Sequence, residues 1–164
     1  MMGSLKYPVL QKSRELIEMV KLKYKQSDKL INRIDWKNIM KMPRCAGGHD
    51  EQMRGLLKNV TVLGHWNEGD YQGYVATCVQ LNDTGEIVIY NDSYGSCSGC
   101  DQWEDATDDD VRQMCRQLVC GAYVFKNLDD CKEFLGDPDR ERSFDWAYDD
   151  VGLYLLNAIN NHEV

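Results

Sequence analysis

Apolar residues along this chain recur first at spacings of three and four, then of two, then again of three and four, an order that predicts helices on both sides of a sheet. Behind Pro8, the residues Val9, Leu10, Leu16, Ile17, Val20 and Tyr24 form one stripe with Lys and Arg between them, the pattern of a basic amphipathic helix. Ser27 is placed to cap a second helix carrying Leu30, Ile31 and Ile34. Asp35 is placed to cap a third, short one through Trp36, Ile39 and Met40, which Pro43 ends. After a break at 45–49 with Gly47 and Gly48, the residues Met53, Leu56 and Leu57 predict another short helix over 50–58.

The period changes at Val60. Residues 60–66 are apolar and rich in β-branched side chains, and 67–70 has turn chemistry. Residues 71–81 alternate, with Val75, Thr77, Val79 and Leu81 on one face and Tyr74, Ala76, Cys78 and Gln80 on the other. A turn at 82–85 leads to Ile87, Val88, Ile89 and Tyr90, so three successive strands predict an antiparallel meander. Residues 92–103 read as a loop. Thr107 ahead of three aspartates predicts a helix start, because its hydroxyl can accept from an orphan amide while the carboxylates face the positive end of the dipole. Val111, Met114, Cys115, Leu118 and Val119 form that helix's buried face, and Gly121 stops it. A fourth strand over 122–126, a short helix over 128–135 and a final helix over 146–159, with Val151, Tyr154, Leu155, Ala158 and Ile159 as its stripe, complete the chain. The fold class expected is α+β: an antiparallel three- to four-stranded sheet over 60–126, with N-terminal helices and a C-terminal helix packed on it.

Size and charge narrow the reading. A chain of 164 residues suits one domain, here a basic helical part (1–59) joined to an acidic sheet-plus-helix part (60–164). No run approaches the roughly eighteen apolar residues of a bilayer span. Residues 1–12 lack the pattern of a secretory signal, so a cytoplasmic protein is expected. Seven cysteines, an odd number, fit a reducing compartment. Residues 1–59 carry thirteen Lys and Arg against six Asp and Glu, a balance of +7; residues 60–164 carry six against twenty-one, or −15, giving the formal net charge of −8. Two such parts can simply pack side by side. Alternatively, the acidic body faces a basic partner, such as a protein that normally holds nucleic acid. Its anionic candidates include Glu104, Asp105, Asp108, Asp109 and Asp110.

Two segments carry candidate chemistry. Tyr94 to Trp103 holds Cys97 and Cys100 in a Gly- and Ser-rich stretch ending in Asp101, at a strand-to-helix junction of the kind where sites collect. A C-x2-C pair offers two sulfurs to a metal, and zinc takes four ligands; Cys45 and His49, spaced C-x3-H, are the best second half. A dithiol exchanger needs a leading thiol at a helix N-terminus, whereas this pair precedes its helix by several residues among Asp92, Asp101, Glu104 and Asp105, whose charge disfavours thiolate. The plain alternative is a compact loop with packed thiols. The second segment, Gly64 to Gly73, concentrates His65, Trp66, Glu68, Asp70 and Tyr71 around a turn. A simple meander places that turn at the same end of the sheet as Asp92 and Tyr94, where the two segments can form one binding surface; the alternative is an ordinary hairpin with Trp66 and Tyr71 packed across its strands.

No phosphate loop, dinucleotide fingerprint, H-E-x-x-H or G-x-S-x-G is present, which removes nucleotide-driven, zinc-protease and hydrolase-elbow chemistry. The E-G-D-Y-Q-G turn (Glu68 to Gly73) together with the Y-G-S-C-S-G-C-D stretch (Tyr94 to Asp101) resembles a combination carried by small uncharacterised proteins of phages and bacteria. That resemblance implies a prokaryotic or viral setting and brings no activity, cofactor or catalytic residue with it. The function expected is a non-enzymatic acidic binding protein for a basic protein partner, such as a phage-encoded inhibitor of host defence or of nucleic-acid-handling machinery. The alternative is a zinc-stabilised or thiol-dependent protein using Cys97 and Cys100.

Overall fold

A computed structural model of the chain describes residues 28–45, 48–69, 73–95, 102–137 and 150–164. The helix expected over 9–24, the Ser27 cap, the start of the final helix at 146–149, and the candidates Asp70, Tyr71, Cys97, Cys100 and Asp101 lie outside these residues.

The described residues form an α+β fold around a four-stranded antiparallel sheet in the order β1-β2-β3-β4, with β1 at Val60–Asn67, β2 at Gly73–Leu81, β3 at Ile87–Tyr94 and β4 at Tyr123–Phe125. The strand that begins at Ile87 runs three residues past the expected end at Asn91, because Asp92, Ser93 and Tyr94 pair with Val75, Tyr74 and Gly73. Ladder hydrogen bonds hold these polar residues extended where their composition suggests a loop. The turn at 82–85 closes on Gly85, whose φ of +77° suits a residue without a Cβ.

Strand β1 carries a bulge. Val62 faces Val79 but Gly64 already faces Cys78, so Leu63 is the extra residue and the faces exchange there. Val60 and Val62 precede the switch; after it, His65 and Asn67 share their face with Thr77 and Val75, while Trp66 lies opposite Ala76 on the other.

Helices cover both faces. On the face of Val75, Val79, Leu81, Val88 and Tyr90 lie α1 (Asp28–Ile31), α2 (Trp36–Ile39), α3 (His49–Arg54) and α4 (Asp108–Cys120), burying Leu30, Ile39, Met53, Val111, Cys115, Leu118 and Val119 in one cluster. On the face of Ala76, Cys78, Ile87, Ile89, Tyr123 and Phe125 lie α5 (Leu128–Gly136) and α6 (Asp150–Asn160), with Cys131, Phe134, Leu135, Val151, Leu155 and Ile159. Helix α4 starts as its sequence dictates: the Thr107 hydroxyl accepts from Asp110 N and the Asp110 carboxylate accepts from Thr107 N, a capping box, and Gly121 closes the C-terminus. Asn127 caps α5 by a single bond, its Oδ1 accepting from Asp130 N at 2.8 Å.

Several helix readings need correction. Ile34 leaves α1 and forms an isolated antiparallel bridge with Leu57. Helix α3 ends at Arg54, so Leu56 and Leu57 reach the core from the connection that follows it. Tyr154, placed on the buried stripe by its spacing, is 47% exposed and lies against Trp66, with ring centroids 4.8 Å apart and planes 18° from parallel. Trp66 therefore packs on a helix.

Candidate functional site

The turn after β1 and the end of β3 do meet. The Tyr94 hydroxyl donates to Asn67 Oδ1 at 2.6 Å and accepts from Gly69 N at 3.0 Å; Gly69 N also reaches Asn67 Oδ1 at 2.9 Å. Glu68 closes the hairpin, its carboxylate and its amide both pairing with Tyr74, at 3.0 Å each. Asp92, further down β3, accepts from Ser93 N at 2.8 Å.

From Asn67 the hydrogen bonding runs inward. Asn67 Nδ2 donates to Asp50 Oδ1 at 2.8 Å, and the same oxygen receives His65 Nε2 at 2.7 Å. A carboxylate only accepts, so Nε2 carries the proton, and in the neutral ring Nδ1 accepts from the Thr77 hydroxyl at 2.8 Å. Burial pushes the Asp50 carboxyl up, but the hydrogen bonds from Asn67 and His65 and the nearby Arg54 guanidinium outweigh it and hold the group below its usual value. Thr77, His65 and Asp50 are connected in the order of a hydrolase triad. Thr77 is nevertheless fully buried and the His65 side chain only 9% exposed, so no substrate reaches the hydroxyl. The chain of bonds serves to tie α3, β1, β2 and β3 together.

Asp50, Asn67 and Thr77 are residues that sequence reasoning passed over. Thr77 was a visible signal, as a lone polar position among Val75, Val79 and Leu81 on a buried face. Nothing local marked Asp50 as its indirect partner, because α3 reaches β1 only through the tertiary fold.

Gly48 and His49 lie against Trp103 and Tyr94, described residues that stand after and before the Cys97 and Cys100 stretch in the sequence. The His49 ring, on a residue only 4% exposed, sits 5.2 Å from that of Tyr94, which stands shortly before the stretch. A Cβ on Gly48 would fall 2.2 Å from the indole of Trp103, which stands shortly after it, so a glycine is required there. Trp103 itself is 1% exposed and donates through Nε1 to Pro43 O at 2.9 Å, which places it in the core and not on an open surface. Cys45 is exposed with a free thiol. Among the described residues, no group of three or more His, Cys, Asp or Glu could hold a metal ion.

The acidic candidates surround the start of α4. Glu104, Asp105 and Asp110, with Gln102, Gln113, Gln117, Ala106 and Met114, line a groove of about 410 Å³ between the turn and the helix. Arg44 reaches the same region from the other side, bonding Ala106 O at 2.9 Å and the Asp108 carboxylate. Asp109 pairs with Arg112 at 2.8 Å. Asp110 is held below the usual carboxyl value by its hydrogen bonds to the Thr107 backbone and side chain. Asp108 and Asp109 are thus paired with Arg44 and Arg112, whereas among the described residues Glu104 and Asp105 have no side-chain ion pair. No helix among the described residues is long and apolar enough to cross a membrane. The chain matches no family model, no curated protein and no solved structure.

Proposed function

We propose that this chain is a binding protein without catalysis of its own, and that the acidic surface around the start of α4 engages a basic protein partner. The groove lined by Glu104, Asp105 and Asp110 is the observation that carries this reading. It lies in a stretch, 102–137, with nine Asp and Glu against four Lys and Arg. Carboxylates and side-chain amides around the apolar surface of Met114 suit the charged head and methylene stem of an arginine or lysine. Such a surface repels nucleic acid and complements proteins that hold it, the class to which host-defence and nucleic-acid-handling machinery belongs. A phage-encoded inhibitor of that machinery is the setting this reading favours.

Capture of partners from a bacterial lysate by the native chain, compared with a Glu104→Lys/Gln113→Lys/Gln117→Lys variant, tests the proposal. The expected result is a basic protein retained at low salt, released at high salt and absent from the variant, whose melting midpoint stays near that of the native chain. Capture indifferent to salt or to the three substitutions overturns it.

A second reading is supported by the contacts of His49 with Tyr94 and of Gly48 with Trp103, residues that stand before and after the C-x2-C pair in the sequence. In that reading Cys45, His49, Cys97 and Cys100 hold one structural zinc ion. Metal analysis of the purified chain beside Cys97→Ser/Cys100→Ser decides it: one zinc per chain, lost in the variant together with thermal stability, is the expected result. A metal-free native chain of unchanged stability removes the reading.

A further inference from the structure

We draw no further inference here: the strongest candidate, the surface patch formed by the Trp66–Tyr154 aromatic stack and the exposed Leu153 on α6, is an apolar face with nothing in the structure to show what covers it.

Discussion

Gly64 sits where β1 and α6 approach most closely: a Cβ there would lie 2.6 Å from Ile159 Cγ1 and 3.0 and 3.1 Å from the helix backbone N and Cα. Because backbone cannot swing aside as a side-chain tip can, Gly64→Ala is expected to lower stability by about 1–3 kcal/mol, read as a reduced denaturant midpoint. A midpoint unchanged by the substitution would mean that α6 does not rest on β1. Thr77→Val keeps shape but removes the donor to His65 Nδ1, leaving a buried ring nitrogen unpaired at a cost of about 1–3 kcal/mol. Thr61→Val removes a hydroxyl paired with Asn82 on an exposed stretch and serves as the control with little effect. The carboxylate of Asp50 is held below its usual value, so its contribution to stability is fully present above the unfolded-state pKa, about 3.9, and disappears as pH falls through the lower folded value. Denaturation followed as a function of pH should therefore show a shallower acid limb in Asp50→Asn than in the native chain; identical limbs would show that Asn67 and His65 do not hold the carboxylate. Buried Gln52 presents a contrasting case, its side-chain amide donating to Cys115 Sγ at a weak 3.9 Å, while burial pushes that thiol up to about 11.

At the scale of elements, the bulge at Leu63 assigns the most consequences to one residue. Without it, strict alternation would send His65 and Asn67 toward α6 and Trp66 toward α3. Deleting Leu63 removes the extra residue itself and leaves Val62 and Gly64 opposite Val79 and Cys78, so the Asp50–His65–Thr77 bonds and the Trp66–Tyr154 stack are expected to survive the deletion. Loss of the native near-ultraviolet circular dichroism in the deletion would refute the assignment of Leu63 as the extra residue. Helix α4 was legible in advance, since a hydroxyl at N-cap, an acidic first turn and a terminal glycine are signals contained within a few residues. Thr107→Ala should cost about 1 kcal/mol, measurable by chemical denaturation. The short helices were less legible. Met53, Leu56 and Leu57 share helical spacing, yet α3 stops at Arg54 because Leu57 is drawn into the bridge with Ile34 and Asp35 N donates to Leu56 O at 2.8 Å.

For the whole molecule, the charge division of the sequence has a visible counterpart. Arg33 from the basic part makes two bonds of 2.9 Å to the Asp83 carboxylate, and Arg44 reaches Asp108, so the two parts meet through ion pairs. Exposed pairs of this kind add little stability and are screened by salt, whereas both sides of the sheet are held by buried apolar clusters. Added salt is therefore expected to leave the melting midpoint nearly constant while abolishing capture of a basic partner, so that the two measurements separate fold from recognition. The sequence by itself determined the α+β class, the meander, the inward residues of β2 and the caps of α4, because alternation and capping depend on neighbours no more than about four positions away. Only the tertiary structure decided that Leu63 is bulged, that Asp50 reaches His65, that Trp103 is core and that Tyr154 is not. These depend on which helix is laid against which strand, and that choice is made by burial and hydrogen bonding between residues far apart in the chain.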